Sequence, residues 1–347
     1  MPYVYDRSIH MKKLFLAVLL VVAAVGLRAA GPDPRYKAPR TENGHPDLQG
    51  VWNFSSDVPL ERPAAIADQQ FFTREALEKQ KAVRADALAA AARLFPIEAI
   101  GVTWLDYSAK IENLRTSLIT YPENGRVPEL VEGVRRMPSV DDLLGYLSDP
   151  KGPPPAALLA FLAGGNRNGY EDYGPSERCL IDTNDGPPFT PGLDYNYLQI
   201  IQSKDSVVIR SEYLHHARII ALDGRPYLGT TLRTTYGDSR GHWDGETLVV
   251  ETRNFNNRTQ SFAGAGRSRD KVVTERFMRV SPNTLRYEAT VVDAKTFQDK
   301  VAIAYPMAKV DARVYEAACH EGNYSMPNML SAARKEAEEA AKAADQK

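Results

Sequence analysis

From Tyr197 onward the chain is a succession of strand-like runs with turn residues between them and no helix-length segment separating them. YLQIIQ, SVVIRS, ARIIAL, TLVVETRNF, KVVTERFMRV, TLRYEATVVD and KVAIAYPM are rich in β-branched and aromatic residues, which suit a pleated, half-buried surface. Parallel strands need a long crossover, usually helical, between one strand and the next. This spacing therefore favours an antiparallel barrel or sandwich over a parallel sheet. Asp223-Gly224 and Asp244-Gly245 each lie between such runs, and Asp-Gly flanked by strand residues signals a tight hairpin turn.

The first half reads differently. Thr73 is the expected N-cap and Pro96 the stop of a helix beginning TREALEKQKAV, whose apolar positions Leu77, Val83, Leu88 and Ala91 make a ragged, surface-type stripe. TSLITYPENGRVPEL reads as a short strand, a Pro-Glu-Asn-Gly turn and an extended exit. Ser139 to Leu147 and Ala156 to Leu162 are expected helices separated by the Pro-rich KGPPP. None of these pieces makes an independent domain. The expectation is one domain over residues 31–347, with a helical excursion at about 73–165 and a charged C-terminal helix at about 329–345.

Met11-Lys12-Lys13 precedes LFLAVLLVVAAVGL, an apolar run of 14 residues that stops at Arg28-Ala29-Ala30. A positive start, a short apolar stretch and small residues make a secretory signal peptide over residues 1–30, with Met11 as a possible true start. The alternative is an uncleaved membrane anchor. The expected location is periplasmic or secreted, with no stable membrane span once the signal is removed. Cys179 and Cys319 are the only cysteines, and in an oxidising compartment such a pair is expected to be bridged; two buried free thiols are the alternative. With a formal net charge of −1 and no basic cluster, the 347-residue chain shows no electrostatic footprint for nucleic acid. Its oligomeric state is left open.

Gly50-Val51-Trp52 resembles the Gly-x-Trp of the first strand in lipocalin-like barrels, where the Trp closes one barrel end. The expected fold class is thus mainly β: an antiparallel, lipocalin-like β-barrel with peripheral α-helices. HPDLQGVW, RTSLIT, GPSERC, NYLQIIQ, HHARIIALDGRP, GDSRGHWDGETLVVET and CHEGNY resemble the recurring blocks of a large family of exported bacterial proteins. That resemblance covers most of residues 45–335 and implies a shared fold and site, but assigns no reaction. His215, Arg218, Asp238, Arg240, His320 and Glu321 match its pattern. His216 and His242 depart from it, standing where the family often has Asp and Arg.

Four of the six histidines and both cysteines lie between Cys179 and His320, so candidate chemistry is concentrated there. Neighbouring strand side chains point to opposite faces, so His215 and His216 cannot share a pocket unless a bulge intervenes. Either Tyr213, His215 and Ala217 face the interior or Glu212, His216 and Arg218 do. His215, Asp238, His320 and Glu321 are the expected catalytic residues: the imidazoles as acid and base, the carboxylates to orient them or tune their pKa. Arg178, Arg218, Arg240 and Tyr324 are the expected substrate-binding residues, an Arg holding developing negative charge. A Cys179–Cys319 bridge would deliver Glu177 and Arg178 to the same place. No cofactor is expected. A metal site would need His215, His242 and His320 to converge without any tight ligand spacing. A serine hydrolase is disfavoured, because Ser239 lies outside any G-x-S-x-G. The reading leans to an enzyme doing metal-independent acid–base chemistry on a small organic molecule, as a lyase, isomerase, cyclase or hydrolase. Its alternatives are a non-catalytic binding or carrier protein and, if the barrel interior is packed solid, a structural envelope protein.

Overall fold

The computed structural model describes residues 36–94, 109–136, 168–181, 184–192, 194–214, 216–266 and 268–345. The chain divides into Met1–Tyr36 and Lys37–Lys347. The expected signal peptide and the helices expected over 139–147 and 156–162 lie outside the described residues.

Ten strands carry the second unit: β1 (Gly50–Asn53), β2 (Ile119–Tyr121), β3 (Tyr197–Gln202), β4 (Ser206–Ser211), β5 (Ala217–Ala221), β6 (Asp238–Asp244), β7 (Thr247–Arg253), β8 (Val272–Ser281), β9 (Thr284–Val292) and β10 (Val301–Val310). β1 and β3 to β10 pair in the order 1-3-4-5-6-7-8-9-10, and β1 pairs back onto β10, closing a nine-stranded barrel. β2 lies beside β1 on the same edge of β10, meeting Ala302 and Ile303 where β1 meets Ala308 to Val310.

The barrel is mixed, not wholly antiparallel as expected: β5 runs parallel to β6 through the pair Ala221↔Arg240. The cause is the fate of the two Asp-Gly pairs. Asp244-Gly245 makes the expected hairpin, with Asp244 opposite Thr247. Asp223-Gly224 does not. Asp223 instead takes Arg225 Nε on both carboxylate oxygens (2.9 and 2.8 Å), and the chain leaves the ladder as a long connection that returns to lay β6 alongside β5 in the same direction.

Tight turns at Ser203–Asp205, Gly245–Glu246 and Pro282–Asn283 therefore share one end of the barrel. The longer connections, including 212–216, 254–271 and 293–300, share the other. The HPDLQGVW block seals the hairpin end. His45 stacks on Trp243 (5.2 Å between ring centroids), Leu48 N donates to Gln202 Oε1 (2.7 Å), and Trp52 Nε1 donates to Leu48 O (2.9 Å). Arg279 and Lys309 lie over the Trp52 ring at 5.9 and 5.8 Å.

Trp52, Phe54, Phe189, Leu198, Phe255, Phe277 and Tyr287 belong to one continuous, fully buried cluster. Each aromatic side chain so buried contributes roughly 2–3 kcal/mol of hydrophobic stabilisation before entropy is counted. Helix α1 (Arg74–Leu94) is a surface helix, as its stripe suggested. Thr73 Oγ1 caps it by accepting Ala76 N (3.1 Å), buried Leu77 anchors its first turn, and Lys81 pairs with Asp57 one turn further on (3.6 Å). A short helix, α2 (Cys319–Gly322), precedes α3 (Ser325–Asp345). α3 begins before the expected residue 329 because Asn323 Oδ1 accepts Met326 N (3.2 Å), and Pro327 falls in the first turn, where a missing N–H costs nothing.

Candidate active site at the loop end of the barrel

The GDSRGHWDG block, where two of the expected site residues stand, builds the parallel seam. Asp238, Arg240 and His242 alternate with inward-facing Ser239, whose hydroxyl meets Thr252 Oγ1 at 2.9 Å. Asp238 accepts Leu228 N (2.6 Å) and pairs with Arg240, and Arg240 donates to the carbonyls of Arg225 (3.1 Å) and Pro226 (2.8 Å) while lying over Tyr227. These bonds replace the ladder that the 223–228 connection never makes. Gly241 permits the close approach: a Cβ there would fall 2.7 Å from Ile220 Cγ2 and 2.9 Å from Leu222 Cδ2. His242 is exposed.

Arg218 resolves the alternation left open by the sequence. It faces the barrel interior while Ala217 and Ile219 are exposed, so the even positions of β5 point inward. Inside, Arg218 makes a two-pronged pair with Glu275 (2.6 and 3.0 Å), and neither side chain is more than 3% exposed. Tyr287 OH donates to Glu275 Oε1 (2.9 Å). Burial, reinforced by the Glu275 charge, pushes the Tyr287 and Tyr305 hydroxyls well above the usual tyrosine range, so both stay protonated. Between them sits Phe189. Its N–H donates to Tyr287 OH (3.0 Å), its carbonyl accepts Tyr305 OH (2.8 Å), and its ring lies 5.2 Å below the Arg218 guanidinium. The volume expected to hold a small molecule is thus occupied by the chain's own 184–190 loop.

The disulfide Cys179–Cys319 is formed, with Cα atoms 5.6 Å apart. Asn323 Nδ2 donates to Glu177 O (3.0 Å), so the GPSERC and CHEGNY blocks do meet. Their expected site residues nevertheless face outward. His320 and Glu321 are exposed, Tyr324 is 76% exposed, and Arg178 lies over the ring of Tyr170 at 5.1 Å. Among the described residues, no three His, Cys, Asp or Glu side chains gather as a metal site would require.

The structure joins a different set at the loop end. The buried carboxylate of Asp185 accepts the hydroxyl hydrogens of Ser211 and Tyr236, one on each oxygen. The ring of His216 stacks on Tyr236 with 15° between the planes. Tyr213, 4% exposed, packs against Tyr195 with centroids 5.5 Å apart. Leu214 has φ 52°, a left-handed conformation that breaks strand alternation between Tyr213 and His216. The disulfide corner braces this turn: Leu214 N donates to Ala317 O (3.3 Å) and Ala317 N to Glu212 O (2.9 Å). His215 lies outside the described residues.

Asp185, Ser211 and Tyr236 were not among the expected site residues. Asp185 opens a Gly-Pro-Pro tract that reads as an ordinary loop, and Tyr236 precedes a motif that drew attention to itself. The available signal was an acidic residue in an otherwise uncharged stretch, TNDGPPFTPGL, leading into strand β3. No family model, curated protein or solved structure matches this chain.

Proposed function

We propose that the chain is an exported enzyme that acts on a small organic molecule by metal-independent proton transfer, at the loop end of its barrel. The observation that carries this reading is the chain of side chains from Asp185 through Tyr236 to His216: a buried carboxylate fixing a phenol, and the phenol ring supporting a half-buried imidazole. With its hydrogen held by Asp185, the Tyr236 hydroxyl is fixed in direction, and an imidazole such as that of His216 is the side-chain type able to take and return a proton near neutral pH. The Asp that the resembled family often carries at position 216 would also set a titratable group against Tyr236. Bridged cysteines support export, since such pairs persist in oxidising compartments, and none of the described helices is long and apolar enough to cross a membrane. The finer lipocalin-like comparison rests on Trp52 at the sealed end, with Arg279 over its ring.

A ligand carried inside the barrel would have to displace Phe189, so the filled interior weighs against the carrier reading and moves the expected pocket outward. The same filling is what a structural envelope protein would show. Incubating the purified protein with a metabolite extract, followed by mass analysis, separates the two. The enzyme reading expects a consumed species and a new product, with turnover reduced by about 10²–10⁴ in His216→Ala. An unchanged extract, or equal turnover by the variant, would sink it.

A further inference from the structure

We propose that Arg62 and Arg115 form a binding site for a small oxyanion, a phosphate, sulfate or carboxylate group, on the β2 side of the barrel. This is a second site, several strands around the ring from the Asp185 cluster, and it stands whether or not that cluster is catalytic. Arg115 belongs to the RTSLIT block, which the loop-end site leaves unused.

Arg62 is 3% exposed, yet among the described residues its guanidinium meets no carboxylate. Nε donates to Thr116 Oγ1 (3.0 Å), Nη1 donates to Ala67 O (2.9 Å), and Nη2 is buried with no hydrogen-bond partner among the described residues. Arg115, half-buried, donates Nε to Ser117 O (3.2 Å) and lies 5.6 Å from the centroid of the Phe71 ring. A third arginine, Arg126, reaches the Arg62 carbonyl through Nη1 (3.0 Å). The nearby acids are committed elsewhere: Glu61 holds Val127 N and Arg136, Glu112 holds Arg74, and Glu288 holds Arg286. Burial, and then the charges of Arg62 and Arg286, pull the Arg115 guanidinium below its ordinary pKa, with no carboxylate acting in the opposite sense.

Burying a cation without a counter-charge is expensive, and charged groups in protein interiors are normally paired or hydrogen-bonded throughout. Here Arg62 Nε and Arg115 Nε are held by neighbouring residues of one segment, Thr116 and Ser117, with guanidinium donors to spare. Thr116 N donates to Gln70 O (3.0 Å), Leu118 N to Pro59 O (2.9 Å) and Arg62 N to Gly125 O (2.8 Å). Gly125, with φ +70°, lets its turn lie against Arg62, since a Cβ there would stand 2.9 Å from Nη2. A planar or tetrahedral oxyanion accepting from Arg62 Nη2 and the free end of Arg115 would supply both the missing acceptors and the missing negative charge.

Calorimetric titration of the whole protein at low ionic strength with inorganic phosphate, sulfate and acetate tests this. A single saturable site is expected for at least one of them, weakened at least tenfold in Arg115→Gln and less in Arg115→Lys, which keeps the charge but loses the fork. Preference for phosphate and sulfate marks a tetrahedral ligand; preference for acetate marks an organic acid. Melting curves at matched ionic strength give a second readout, with the bound anion raising the wild-type midpoint above that in chloride. No saturable binding by any of the three anions, or unchanged affinity in a folded Arg115→Gln, overturns the proposal. Should that variant not fold, unchanged affinity in Arg115→Lys overturns it equally.

Discussion

Lys271 holds its amine inside the protein, donating to Gln260 O at 2.7 Å and lying 4.5 Å from the centroid of the Phe255 ring. Burial lowers its pKa to about 7, and the Asp293 charge only partly opposes that shift. The unfolded chain, with the ordinary value of 10.5, binds more protons than the folded one between about pH 7 and 10.5. Stability therefore rises with pH across that window, and below it the full penalty of burying the ammonium applies. Denaturation of the wild type at pH 7 and pH 9 should show a gain of about 2–3 kcal/mol from this residue, and Lys271→Met should abolish that gain. Equal slopes in the two proteins would mean that the amine is not desolvated. Arg218 teaches a related lesson about reading residues singly. An arginine on a strand, next to histidines, reads as a substrate clamp until Glu275 is placed opposite it, and that partner stands 57 positions further along the chain.

Elements were legible in the sequence to the extent that their signals were local. Thr73 announces α1, Asp244-Gly245 announces the β6–β7 turn, and alternation along β8 and β9 announces two long strands with one buried face each. Asp223-Gly224 carries the same local signal as Asp244-Gly245 and makes no hairpin, because Asp238 and Arg240 capture the following backbone. Leu214 likewise hides the register of β5, since no residue type marks a left-handed leucine in advance. The disulfide corner is the element that holds this irregular turn. Its loop closes over a separation of 140 residues, so Cys179→Ser with Cys319→Ser should cost up to about 4–5 kcal/mol in the chain-entropy model. The amides of Leu214 and Ala317 should then exchange with solvent faster than those of β8. Uniform exchange rates across the barrel in that variant would show that the corner does not brace the turn.

At the scale of the molecule, the blocks most conspicuous in the sequence turn out to close the barrel: HPDLQGVW at the hairpin end and GDSRGHWDG along the parallel seam. The chemistry-bearing groups the structure brings together stand beside that seam, at the loop end, drawn from three connections distant in sequence. That is why the β-rich class and the sulfur bridge could be anticipated and the Asp185–Tyr236–His216 cluster could not. Strand runs and a lone cysteine pair are visible in one pass along the chain, whereas Asp185 meets Tyr236 only after a long connection has run back along the wall. The division of labour between seam and site is tested most directly by comparing Asp238→Asn with Tyr236→Phe for both melting midpoint and turnover of whichever metabolite the wild type consumes. The account predicts a lowered midpoint with turnover retained for Asp238→Asn, and lost turnover at a nearly unchanged midpoint for Tyr236→Phe. The reverse pattern, with activity vanishing in a fully stable Asp238→Asn and surviving in Tyr236→Phe, would contradict it.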